Sequence, residues 1–218
     1  FGLENALLPI GGNFLEIVAP VEENTAAGRY LERRRGNGGY MVILQCGDAL
    51  KERNRITGLG IRAVWTHDDD QAVATHFHPA DVGGAILSID SMAAAEDWHE
   101  EFATWIWAGP DWRPHVKTNV TGGLVGLELQ SSDPDGMAQT WSRVLGRPAT
   151  GHPLGGARIA LDNALLRFVA DEDGRGPGCG GIDIRPHDRP RIMAEADRRG
   201  LVIDDDRIML CGVRVNLL

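Results

Sequence analysis

Three short stretches recur in the same order in the two halves of the chain, and this repetition limits the fold more than any other feature. Residues 14–19 match 165–170 as apolar strand-like runs with one charge at the third position, Glu16 in the first and Arg167 in the second. Residues 58–61, followed by the triplet Asp68, Asp69 and Asp70, match 200–203, followed by Asp204, Asp205 and Asp206. Residues 84–88 match 212–216. A repeated supersecondary unit buries its apolar face by packing against a copy of itself, so two related halves are expected.

Punctuation by turn and cap residues gives the content of each unit. Residues 3–10 and 14–19 read as a hairpin around Gly11, Gly12 and Asn13. Thr25 can cap a helix that stops at Gly36, and Asp48 one that stops at Gly58. Strands are expected at 40–46, 61–65, 72–77 and 84–89, giving the order strand, helix, hairpin, strand. The second half repeats it. A strand at 123–130 precedes a helix capped by Ser132 or Asp133, with Pro134 in its first turn and Gly146 as its stop. Strands follow at 157–162 and 164–169. After the Gly- and Pro-rich residues 174–178 come a strand at 182–184, a helix at 190–199 and closing strands at 207–211 and 213–218. The boundaries predicted are 1–91 for the first half, 92–119 for a connecting segment and 120–218 for the second half. The first half opens inside a strand pattern at Phe1, so its first unit is expected to lack a strand and a helix that upstream residues would supply.

Composition narrows the class. The 218 residues are 43% hydrophobic and carry a formal charge of −9, which suits packed cores and opposes a phosphate-binding surface. Arg33, Arg34 and Arg35 complement a helix C-terminus. No apolar run approaches the roughly 20 residues that span a bilayer. The three cysteines, Cys46, Cys179 and Cys211, have no CxxC spacing, and a cytoplasmic location is expected. The Asp triplets lack the alternating oxygen ligands of a calcium loop. No nucleophile elbow, P-loop or dinucleotide fingerprint is present.

Residues 5–20 and 78–90 resemble the strand ends of the βαβββ module of the vicinal-oxygen-chelate superfamily, which includes glyoxalase, bleomycin-resistance and dioxygenase relatives. The resemblance implies an α+β fold of repeated βαβββ modules forming two cupped mixed sheets, the first module truncated. It also implies one metal ligand from the first strand and one from the last strand of each module. Glu16, four residues before Pro20, stands at a last-strand position. Met41 falls where a His is usual and Ser88 where a Glu is usual, and neither suits a hard divalent ion. In the second half the corresponding positions fall at Leu124 or Val125, Arg167, Gly181 or Ile182, and Asn216. Arg167 would repel a cation there and could clamp a carboxylate instead, or extend from a strand edge. No metal is therefore expected at Glu16, Met41 and Ser88; a Zn, Mn or Fe ion would need a ligand from residues upstream of Phe1.

His76 and His78 share one strand face, and His78 borders the cup by analogy with relatives. His67, His99, His115, His152 and His187 lie in polar turns. Trp98, Trp105, Trp107 and Trp112 crowd the connecting segment, as a helix and loop burying aromatic area or as an aromatic wall beside a turn at Gly109 and Pro110. The resemblance then implies an enzyme of lyase, isomerase or dioxygenase-like type acting on a small polar molecule in the first-half cup. Glu16 and His78 are its candidate catalytic residues, and Asn5, Met41, Ser88 and Trp107 its candidate substrate contacts. The alternative is a metal-free binding protein of the bleomycin-resistance type. Small molecules are the expected partners, with a homodimer compatible and neither nucleic acid nor membrane.

Overall fold

The computed structural model describes residues 1–93, 97–151 and 156–218. β1 (Leu3–Ile10) and β2 (Asn13–Pro20) form an antiparallel hairpin in which Leu7 stands opposite Glu16. The Thr25 side chain accepts from the Gly28 N–H and starts α1 (Ala26–Arg34). That helix closes through Arg35 at φ 56°, one residue earlier than the expected stop at Gly36. The Arg35 and Gly36 N–H groups turn back to the Glu32 and Leu31 carbonyls and satisfy the helix end.

β3 (Met41–Gln45), α2 (Ala49–Gly58), β4 (Ala63–Asp68), β5 (Ala72–Phe77), a single turn α3 (Pro79–Val82) and β6 (Ile86–Met92) follow. Their sheet has the order β3-β6-β5-β4, with β3 parallel to β6 and the other pairs antiparallel. Val42, Phe77, Leu87 and Ile89 are buried in the core with Ala49 and Ile56 of α2. Period-two alternation therefore sends Met41, Ile43, Gln45, Ser88 and Asp90 to the opposite, concave face.

Among its described residues the connecting segment holds two 3-10 turns, Ile106–Ala108 and Arg113–His115, where a helix and loop were expected. Pro110 and Pro114 interrupt any longer helical run. The segment lies between the hairpin and the four-stranded sheet: Trp112 packs edge-on against Phe14 of β2, and Trp107 reaches Asp90 of β6. The hairpin is consequently a separate two-stranded sheet rather than an extension of the four-stranded one.

β7 (Thr121–Ser131), α4 (Pro134–Leu145), β8 (Ala149–Gly151), β9 (Ala157–Ala160) and β10 (Leu165–Ala170) make the next unit. β11 (Gly178–Pro186), α5 (Arg189–Arg198), β12 (Val202–Asp204), β13 (Arg207–Leu210) and β14 (Val213–Leu217) make the last. All eight strands join in one curved sheet, β12-β13-β14-β11-β7-β10-β9-β8. In each unit the first strand lies parallel to the last, and antiparallel β7 and β11 join the two units at the centre. β8 and β12 escape the sequence pattern because three residues are too few to show alternation.

The two halves share one core. Ile56, Phe77 and Leu87 are buried with Leu129, Trp141 and Phe168. The Trp141 indole donates to the Val82 carbonyl at 2.6 Å. Gly39 forms a β-bridge with Cys179, and a Cβ at Gly39 would lie 2.7 Å from the Cys179 sulfur, so only glycine permits this approach. Arg175 closes the seam by donating to the Asn37 and Gly212 carbonyls at 2.6 and 2.8 Å.

Candidate functional site

On the concave face of the four-stranded sheet one buried carboxyl gathers the polar groups. Asp90 is 3% exposed and Ser88 fully buried. The Ser88 hydroxyl donates to Asp90 Oδ1 at 2.5 Å, and the Trp107 indole donates to Oδ2 at 2.9 Å. Burial pushes the Asp90 carboxyl up to about 6, against the opposing pull of these two donors. In register beside it, Gln45 stands opposite Asp90 and His76 opposite Ser88. The Gln45 amide donates to the Thr104 carbonyl at 3.0 Å, pinning the connecting segment over the sheet.

Aromatic rings complete the surround. His67 meets Trp107 edge-on at 5.4 Å, and Trp65 lies 4.3 Å from His76 between ring centres. Phe1 packs against both Trp65 and His76. Burial drives His76 down to about 4, leaving it neutral at neutral pH. His67 is half-buried and hydrogen-bonded to Asp69 at 2.8 Å, which differs from the solvated turn expected for it because the Trp107 ring covers one side.

The other sequence candidates are distributed as follows. Ser88 and Trp107 are brought together through Asp90, and Met41 shares their face. Glu16 is exposed and accepts a hydrogen bond from exposed Asn5 at 2.7 Å across the hairpin, on a different sheet from Ser88. His78 caps α3, with Nδ1 accepting from the Ala80 N–H at 3.1 Å and lying 3.2 Å from an Arg62 nitrogen. His152 lies outside the described residues. Asp90 went unnoticed in the sequence because the strand was expected to end at Ile89. Its signal was an ionisable residue two positions beyond Ser88, hence on the same face.

The donors do not fit a divalent metal. Among the described residues no three His, Cys, Asp or Glu side chains converge. Met41 offers only a thioether, Ser88 directs its hydroxyl to Asp90, and Glu16 stands on the hairpin.

The concave face of the eight-stranded sheet carries a different arrangement. Arg167 donates from Nε and Nη2 to Asp183 at 2.8 and 2.5 Å, and from Nη2 to Glu128 at 3.0 Å. Arg214 donates to Glu128 at 2.7 Å and to Gln130 at 2.8 Å, while Asn216 donates to Asp183 at 2.8 Å. Arg167 and Asn216 both stand on this face. The polar groups that β7 and β11 bring to Arg167 are Glu128 and Asp183, whereas the corresponding positions were placed at Leu124 or Val125 and Gly181 or Ile182. Register shifts along β11, including one between Cys179 and Gly181, move the inward positions off a simple alternation. Neighbouring acids hold the Arg167 guanidinium firmly protonated, with the hydrogen bond to Asp183 the largest influence.

Residues 1–145 match a family model described as a glyoxalase-like domain. The chain belongs to the glyoxalase-like domain family. No curated protein matches it. A hypothetical protein from Staphylococcus aureus superposes with a TM-score of 0.68 at 9% identity, covering 100% of this chain and 85% of that one. A mutant of 4-hydroxymandelate synthase from Streptomyces coelicolor gives 0.60 at 13% identity, covering 97% and 66%. The 2,2',3-trihydroxybiphenyl 1,2-dioxygenase from Sphingomonas wittichii gives 0.51 at 15% identity, covering 82% and 69%. At such identities the likeness is one of fold, an α+β architecture of curved mixed sheets.

Proposed function

We propose that the first half is an acid–base site for a small polar organic substrate, supporting lyase- or isomerase-type chemistry, with Asp90 as the general base. The observation that carries this reading is a buried carboxyl poised at about 6. A base whose protonated form has a pKa near the working pH combines a useful ionised fraction with useful basicity. Asp90 is ionised at neutral pH, takes a substrate proton on Oδ2 once Trp107 gives up that oxygen, and keeps the Ser88 donor on Oδ1. Ser88 thereby fixes the carboxyl plane, Trp107 and Trp65 exclude water, and neutral His76 offers an uncharged hydrogen-bonding edge. No step is routed through a metal, because the donors present do not fit one. That superfamily relatives bear the names of a synthase and a dioxygenase supports small-molecule chemistry in such a cup without fixing the reaction.

The aromatic surround favours a second reading, a metal-free binding protein in which Trp65, Trp107 and Phe1 hold a flat ligand. One substitution separates the two. In a turnover screen over small hydroxy- and oxo-acids, Asp90→Asn is expected to lower the rate by about a hundredfold or more, the usual worth of a positioned base. The wild-type rate should rise with pH through about 6 as Asp90 loses its proton. Turnover retained in Asp90→Asn removes Asp90 from the chemistry. Binding without turnover in either protein establishes the second reading.

A further inference from the structure

We propose that the concave face of the eight-stranded sheet is a second ligand site, which takes a small carboxylate between Arg158 and Arg167. Ile159, Leu166 and Phe168 are buried toward α4, so alternation turns Arg158 on β9 and Arg167 on β10 to the opposite face. The two are direct cross-strand partners. Like charges placed opposite one another in an antiparallel pair repel and destabilise the sheet. The acids of this face do not relieve that repulsion. Glu128 and Asp183 are matched one for one by Arg167 and Arg214, so these four charges sum to zero. Farther along the face Arg207 is engaged with Asp204 and Glu172. Arg158 therefore adds a positive charge next to a balanced network.

The geometry also leaves a donor available. Arg167 is 29% exposed, and its bonds to Asp183 and Glu128 use Nε and Nη2. Nη1 makes no hydrogen bond among the described residues. The acids fix the guanidinium plane in advance, so an incoming anion need not order the side chain. A carboxylate seated between Arg158 and Arg167 accepts from Nη1 of Arg167 and from the Arg158 guanidinium, with charge-assisted hydrogen bonds and planar groups on both sides. It also removes the cross-strand repulsion. This site is separate from the Asp90 cup and stands or falls independently of it.

Sodium malonate is the probe, followed by isothermal titration and by the shift in melting temperature, with inorganic phosphate in parallel. Malonate is expected to bind one equivalent in the second half and to raise the melting temperature, with phosphate weaker. Arg158→Gln should weaken malonate at least about tenfold, the scale of losing one charged hydrogen-bonding partner. Because Arg158 is half-buried and its removal relieves repulsion, the ligand-free variant should melt no lower than wild type. Asp90→Asn should bind malonate as wild type does, which keeps this result distinct from the fate of the first site. No malonate binding, equal binding in Arg158→Gln, or tighter phosphate than malonate would each overturn the proposal.

Discussion

A carboxyl whose two oxygens each accept a hydrogen bond is ordinarily a stronger acid than free aspartate. Asp90 is a weaker one, because the cost of holding its charge in a nearly solvent-free sheet face outweighs both donors. This has a consequence for stability whose sign follows from linkage. The folded pKa lies above the unfolded one, so the folded chain holds the proton more tightly. Asp90's contribution to stability is greatest below the unfolded value of 3.8 and is lost as pH rises through about 6. The span corresponds to about 3 kcal/mol. Denaturant unfolding of wild type and Asp90→Asn at pH 4 and pH 7 should show the variant gaining relative to wild type at the higher pH; a pH-independent difference would disprove the shift. Arg167 is the opposite case, a half-buried charge with its partners in place. Arg167→Ala would leave buried Asp183 without a cation while Glu128 keeps Arg214, and should cost about 3–5 kcal/mol in chemical denaturation. A loss below about 1 kcal/mol would show that the network contributes little.

At the scale of elements, caps and turns were the legible part of the sequence. Thr25, Asp48 and Asp133 stand at helix starts because each oxygen accepts an N–H of the first turn, a local interaction that needs no knowledge of the rest of the fold. The concave faces were less legible. Glu128 and Asp183 were not singled out in the sequence, because pairing along β11 is irregular and such bulges depend on the partner strand rather than on local sequence. Gln45 and Trp107 meet the same cup from elements far apart in the chain, a proximity that periodicity does not encode. The β1–β2 hairpin invites an experiment. Among the described residues it pairs with no other strand, and two strands alone are marginal in water. Amide hydrogen exchange should therefore be faster in residues 3–20 than in β7 and β11 at the centre of the large sheet. Equal protection would mean that Phe14, Trp112 and the tip contact from Asn13 to the Leu124 carbonyl hold the hairpin as firmly as a full sheet.

Across the whole molecule, the repeat read from the sequence appears as three sets of strands in which the first lies parallel to the last. What the repeat did not reveal is the chemical divergence between the two concave faces. One gathers aromatic rings around a single proton-binding carboxyl; the other neutralises its own acids with arginines. The seam joining them contains Cys179, 4% exposed behind Gly39, with burial pushing its thiol up to about 12. Cys211 is exposed and Cys46 half-buried. A thiol in such a seam can be read as a clock. Thiolate is the reactive form, so Cys179 stays inert to a maleimide while the halves remain closed, and each alkylation event there records one opening. In the presence of excess reagent Cys211 should label within the mixing time, and Cys179 at the rate at which the molecule parts along Gly39. A ligand that clamps either face without touching the seam should slow that second rate, which turns one buried sulfur into a gauge of how far binding at one face is felt across the protein.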